Sequence, residues 1–317
     1  MDEGIEGVQA PLWGPQPEQD AELEAVAAAI LRQDLDGARF AGAIRRSIDM
    51  LLDGQHTGRF RWEQLYKTEK AHMGTLVEIN LQREFGFGDG VDMDYRIAGV
   101  DVDCKFSQTP GGWMIPPEAV GHLLLVVWAS DIKARWSAGL VRAAPGCLNT
   151  GGNRDAKTTL NRAGREAIRW LFREAPLKEN MLLGLSPDDA DSVFAQKSGQ
   201  GRVDELFLRA QGKRVSRTVV ATVAMQEDYM KRVRYNGGSR SRLQSRGIVI
   251  LGHYTSHGDI ARLLGLPVPQ AGDSVSVRLV RRQAHNSDAP YIELNGEQWV
   301  RALPSDPEET VPKLPEI

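Results

Sequence analysis

The chain has 317 residues, of which 41% are hydrophobic and 26% charged, and its formal charge is −3. That length allows two domains with separate cores, and that composition excludes wholesale disorder. The longest apolar runs, such as LLLVVWA (123–129), fall far short of the ~20 residues of a membrane-spanning helix, and the acidic N-terminus does not read as a signal peptide.

The near-neutral total hides a segregated charge pattern. Residues 1–20 carry Asp2, Glu3, Glu6, Glu18 and Asp20 without a base, whereas residues 211–250 carry nine Lys/Arg against two acids, a local +7. A basic block of that kind suits a polyanionic partner. Cys104 and Cys147, far apart in the chain, suit a reducing compartment better than a disulfide scaffold, so the expectation is a cytoplasmic protein without a membrane partner.

In chain order, VQAPLWGPQPEQD (8–20) reads as an irregular arm. Apolar spacing predicts helices over 21–34, 36–52 and 68–85, the second stopping at Asp53-Gly54, the third bearing the stripe Met73, Val77, Leu81, Phe85 with Glu78 beside it. GFGDG (86–90) is a loop, followed by a β-hairpin, a Gly-Gly-Trp-containing loop at 111–117 and an apolar run at 122–129 that reads as a fully buried strand. Helices are expected at 155–173, 178–184, 186–196, 201–211 and 215–227. After them come a strand pair MKRVRY-NGG-SRSRL turning at Asn236-Gly237, a strand at 248–254, a helix at 257–266 and an extended proline-rich tail.

The hairpin DYRIAGVDVDCKFSQ (94–108) carries the chemistry. With side chains alternating between faces, Asp101, Asp103 and Lys105 share one side, about 7 Å apart. Asp94 heads the hairpin and Glu78 lies on the helix before it. Carboxylates and an ammonium beside a core strand are costly unless paired, and a hard divalent cation would relieve that cost. Mg²⁺ takes one or two carboxylates together with waters and a phosphate oxygen, and the Cys104 carbonyl is a further candidate ligand beside Asp94 and Asp103. Lys105 would orient or help deprotonate an attacking water, or offset charge on the phosphorane. D-x₈-D-x-K is the spacing of the metal-dependent PD-(D/E)xK nucleases. Asp101 competes with Asp103 for the second carboxylate, and Asp103 is preferred because it stands two residues before Lys105.

The run TEKAHMGTLVEINLQREFGF with DYRIAGVDVDCKFSQTPGGWMIPPEAVGHLLLVVWASD resembles the NaeI family of restriction endonucleases, and the similarity extends along the chain. The resemblance implies a type IIE site-specific deoxyribonuclease with an N-terminal PD-(D/E)xK domain and a C-terminal domain binding a second DNA copy. Its catalytic positions map onto Glu78, Asp94, Asp103 and Lys105. Met93 stands where the motif's name has proline, which makes no metal contact. LLDG (51–54) resembles the K-x-D-G of DNA ligases, but Leu51 replaces the lysine that takes up the adenylate, so no covalent nucleotide can form.

The expected fold is therefore an α/β mixed-sheet, restriction-endonuclease-like domain over 1–164 and a mainly α winged-helix domain over 165–317. In the second, helices 201–211 and 215–227 have helix-turn-helix spacing. Lys213, Arg214, Ser216, Arg217 and Thr218 cluster at the second helix's start, and Lys231, Arg232, Arg234, Arg240 and Arg242 on the expected hairpin. The resemblance adds a likeness of this half to the DNA-binding domain of the catabolite activator protein. The expected assembly is a Mg²⁺-dependent homodimer on double-stranded DNA, two copies per functional dimer, cutting a GC-rich palindrome, GCCGGC on the resemblance. A junction or repair nuclease and a non-enzymatic winged-helix regulator are the alternatives.

Overall fold

The computed structural model describes residues 20–286 and 288–315. The expected arm over 8–20 lies, except for Asp20, outside the described residues. The chain divides into two compact units. One comprises Met1–Phe40, Leu81–Ala129 and Trp136–Ala175; the other comprises Ala41–Asn80, Ser130–Arg135 and Pro176–Ile317. Among the described residues no helix is long and apolar enough to cross a membrane.

The N-terminal helices follow the periodicity: α1 (Ala21–Gln33), α2 (Ala38–Leu52), a single turn α3 (Gly54–Thr57) and α4 (Lys67–Phe85). The Asp20 carboxylate caps α1 by accepting from the Leu23 amide, and Leu23, Val26, Ala27 and Ile30 form its buried stripe.

A six-stranded sheet dominates the first unit. Its strands are β1 (Gly88–Asp89), β2 (Tyr95–Ile97), β3 (Val100–Ser107), β4 (Leu123–Ser130), β5 (Arg135–Arg142) and, after helix α5 (Arg162–Glu166), β6 (Arg169–Pro176). They lie in the order β1-β2-β3-β4-β5-β6. Strands β2 and β3 form the expected hairpin, closed by Ala98-Gly99 with φ of 52° and 84°, the two positive values of a tight primed turn. Strand β3 then pairs parallel to β4, Asp103 opposite Leu124. Leu123–Ala129 is buried throughout, as an interior strand covered on both faces must be. One face holds Leu124, Val126 and Trp128 with Trp113, Ile115, Leu160 and Ile168. Trp113, from the loop between β3 and β4, donates its indole N–H to the Val127 carbonyl at 2.8 Å, so it is a core lid. A second aromatic group joins Phe40, Phe85, Phe87 and Tyr95 to Trp136 and Phe172, with neighbouring rings 4.8–5.7 Å apart. The helix expected over 155–173 is replaced by α5 and β6. Its 3.6-residue spacing was overridden by pairing with the sheet edge, a long-range contact that local periodicity does not report.

The second unit carries α6 (Pro187–Phe194), α7 (Gly199–Arg209), β7 (Arg214–Ser216), α8 (Arg217–Ala224), α9 (Ser239–Arg242), β8 (Ile248–Leu251), α10 (Thr255–Leu263), β9 (Asp273–Arg281), β10 (Tyr291–Leu294) and β11 (Glu297–Arg301). The strands form one antiparallel sheet, β10-β11-β9-β7, with β8 also paired to β9. A mainly α half is thus corrected to one with five strands, and the helix expected at 178–184 is a 3₁₀ turn at Met181–Gly184.

The strand pair MKRVRY-NGG-SRSRL does not exist: Tyr229–Val233 is a 3₁₀ helix and Ser239–Arg242 is α9. Side-chain hydrogen bonds fold the segment. Ser239 Oγ donates to Asp204 Oδ1 at 2.7 Å, and the Arg232 carbonyl accepts from the Gln200 amide at 3.0 Å. A Cβ on Gly238 would collide with Arg234 backbone atoms, so glycine is required by close approach rather than by a hairpin turn. The tight Asn-Gly hairpin of this half is Asn295-Gly296, between β10 and β11, with φ of 53° and 79°. The tail is extended but anchored. Val311 and Leu314 are buried, and their amides donate to the Gln244 carbonyl and the Tyr235 hydroxyl.

Candidate active site

Strand β3 places its charges differently from a solvent-facing strand. Asp103 is only 5% exposed, because β3 lies between β2 and β4. Its Oδ1 accepts from Lys105 Nζ at 2.6 Å, and its buried Oδ2 has no hydrogen-bond partner among the described residues. Asp94, in the bend before β2, accepts the Cys104 backbone N–H on Oδ2 at 2.7 Å, which fixes the carboxylate beside the strand. Lys105 Nζ lies 4.0 Å from that Oδ2 and also donates to the Cys104 carbonyl at 3.2 Å. Asp94, Asp103, Lys105 and the Cys104 carbonyl therefore converge.

Electrostatics follow from this packing. Burial pushes the Asp103 carboxyl up, the Lys105 hydrogen bond and charge pull it down, and the Asp94 charge pushes it up again, leaving it at about 6. Burial works against the Lys105 ammonium, but its hydrogen bond to Asp103 and the charges of Asp103 and Asp94 outweigh it, raising its pKa above the ordinary lysine value. At neutral pH the pair is an ion pair.

Asp101 takes another job. Its carboxylate accepts from the Val91 and Asp92 amides at 3.0 and 2.9 Å, and these bonds, the Asp92 one foremost, hold its pKa below the usual range. It ties down the loop that leads into Asp94. Glu78 stands half-buried in the middle of α4, in the part of that helix belonging to the second unit.

Among the described residues no three His, Cys, Asp or Glu side chains converge to hold a metal by themselves. The hairpin still suits a hard cation: two carboxylates and a backbone carbonyl are oxygen donors, and the unpartnered, buried Asp103 Oδ2 is an acceptor that the protein leaves unsatisfied. Cys104 and Cys147 are not bridged to each other.

The basic candidates of the second unit separate into two groups. Lys213 donates to the Gly184 carbonyl, Lys231 and Arg232 pair with Asp228, and Arg242 pairs with Asp204 at 2.7 Å. The Ser216 hydroxyl caps α8, and Thr218 and Arg214 are exposed. From Val219 to Ala224, α8 is buried on all sides, so only its first residues can meet a ligand. Arg217, Arg234 and Arg240 line one groove of about 540 Å³ together with His253 and Tyr254. Arg240 is held there by the Ile250 carbonyl and by the rings of Tyr235 and Tyr254, 5.7 and 5.8 Å from its guanidinium carbon. Tyr254 stands at a strand-to-helix turn, too common a feature for the sequence to single out beside these arginines.

A family model described as "Restriction endonuclease NaeI" matches residues 24–310. The curated "Type II restriction enzyme NaeI" of Lentzea aerocolonigenes is 48% identical over 314 residues, 97% of this chain and 98% of that protein. The chain belongs to the NaeI restriction endonuclease family. As a NaeI-family protein it is a type II site-specific endonuclease, and the reading as a non-enzymatic regulator is overturned. Type II enzymes generally use divalent metal ions, which agrees with the donor set of the NaeI-family hairpin described above.

Proposed function

We propose that the chain is a Mg²⁺-dependent homodimer that hydrolyses both strands of a GC-rich palindrome, GCCGGC, and is activated by a second DNA copy. The observation that carries the chemistry is the convergence of Asp94, Asp103, the Cys104 carbonyl and Lys105 at one end of the β2–β3 hairpin. Asp94, Asp103 and the Cys104 carbonyl would hold Mg²⁺, with Glu78 as a further catalytic carboxylate from α4. When bound by these oxygens, the metal would supply a lowered water pKa and charge neutralisation at the phosphate. Lys105 would orient the attacking water or offset charge on the phosphorane, and the pairing of β3 to β2 and β4 holds the backbone that carries these groups.

The second DNA copy goes to the C-terminal half. The order α7, β7, α8, α9, β8, β9 with β9 as the central strand supports a winged-helix reading. In this reading the division into 1–164 and 165–317 extends the first part by one strand, to the end of β6 at Pro176. Contact with DNA falls to Arg217, Arg234 and Arg240 in their groove and to Arg214 and Thr218 on the surface. Lys213, Lys231, Arg232, Ser216 and Arg242 position the backbone around them.

Digesting a linear DNA of known sequence with and without Mg²⁺, then mapping the ends, tests the reading. Discrete fragments ending within GCCGGC sites, formed only with metal, are expected. No cleavage of an unbranched substrate, with cutting at branched junctions, would favour a structure-specific nuclease instead.

A further inference from the structure

The ammonium of Lys105 contacts Asp103 Oδ1 at 2.6 Å and the Cys104 carbonyl at 3.2 Å, and lies 4.0 Å from Asp94 Oδ2. Those are the oxygens assigned above to the metal. A buried carboxylate without a cation is costly, so some positive group must serve Asp103 before metal arrives. Lys105 does so incompletely, because Asp103 Oδ2 is left without a partner among the described residues. One ammonium and one divalent cation cannot share these oxygens without strong repulsion. The lysine stem is flexible and its side chain is 21% exposed, so it can leave by side-chain rotation, with the backbone of β3 held by its pairing to β2 and β4.

We propose that Lys105 is a resident counter-cation. It occupies the carboxylates in the metal-free protein, competes with the divalent ion, and becomes available to the phosphate only after exchange. This rests on the reading that Asp94, Asp103 and the Cys104 carbonyl hold the metal. It goes further by making metal entry the event that frees the lysine. Metal affinity is then lower than the two carboxylates alone would give, and the lysine is withheld from DNA while the site lacks its metal.

The test is direct binding of Mn²⁺ to the full chain, read as the loss of the free-ion paramagnetic resonance signal, for wild type, Lys105→Met, Lys105→Arg and Asp103→Asn. Lys105→Met should bind Mn²⁺ at least about tenfold more tightly than wild type, a shift of the size that one coupled charge commonly gives. Lys105→Arg keeps the charge and should stay close to wild type. Equal or weaker binding by Lys105→Met, with Asp103→Asn losing the site, overturns the exchange alone. Retention of wild-type binding by Asp103→Asn overturns the metal assignment beneath it. If Lys105→Met is unfolded without metal, Mn²⁺ should restore its fold and raise its melting temperature more than it raises that of wild type. A smaller rise overturns the proposal.

Discussion

Asp101 and Asp103 differ by two positions and share a strand face, yet they do different things. Asp103 is buried and paired with Lys105, whereas Asp101 accepts two loop amides. Asp103→Asn should therefore lower cleavage on the order of 10²–10³-fold, as removal of a group acting on transition-state charge does. Asp101→Asn should cost only a few-fold, through a loosened loop. Comparable losses from both would undo the distinction. The pH dependence has a defined sign. A carboxyl standing at about 6 must lose its proton before it can ligate a metal, so cleavage falls as pH drops through that region. Raising the metal concentration should move this acid limb to lower pH. A limb indifferent to metal would remove Asp103 from the ligand set. Most of this was legible in the sequence, because period-two alternation puts Asp103 and Lys105 together. The preference for Asp103 over Asp101 rests on its spacing from Lys105 alone; the loop amides at Val91 and Asp92 that occupy Asp101 are shown by no pattern.

At the level of elements, the same contrast separates what local pattern could and could not supply. Helices α1, α2 and α4, the β2–β3 hairpin and β4 are written in apolar period and turn residues. Strand β6 and the five-stranded sheet were missed because distant partners define them, and the Asn236-Gly237 dipeptide misled because Asp204 and Gln200 dictate that segment's fold. One tie of the long-range kind is measurable. Arg142 at the end of β5 donates to Asp20 Oδ2 at 2.6 Å and to Glu22 at 2.7 Å, joining the start of α1 to the sheet, and its hydrogen bond holds the Asp20 carboxyl below its usual pKa. Asp20→Asn keeps the helix cap and removes the charge, so it should cost about 1 kcal/mol at neutral pH for this part-exposed pair. A depressed carboxyl stabilises above its unfolded pKa of 3.8, and that contribution is lost as pH falls through its folded value. The gap between wild type and variant in denaturant unfolding should therefore close on the acid side of 3.8. A gap independent of pH would mean that geometry rather than charge is at stake.

For the whole molecule, a formal charge of −3 conceals a basic stretch over 211–250 in which position matters more than number. Of nine basic residues in 211–250, several are consumed by Asp228, Asp204 and backbone carbonyls, while Arg217, Arg234 and Arg240 share a groove. If that groove holds the second DNA, its arginines set how strongly an added site-bearing duplex stimulates cleavage of a substrate that carries one site. Stimulation of this kind is a coupling free energy between two occupied sites, so weakening one occupancy must weaken the response at the other. Arg217→Ala and Arg234→Ala are the informative changes, because both side chains are exposed and Arg240 also supports the Ile250 carbonyl. Each should raise the duplex concentration needed for half-maximal stimulation by roughly tenfold and lower the salt slope of duplex binding by about 1, the value for one lost phosphate contact. Cleavage at saturating duplex should stay near wild type, since neither residue belongs to the Asp94, Asp103 and Lys105 cluster. An unchanged half-maximal concentration and salt slope in both variants would move the second DNA copy to another surface of the protein. A fall in saturating cleavage alone would instead assign the groove to transmitting the activation.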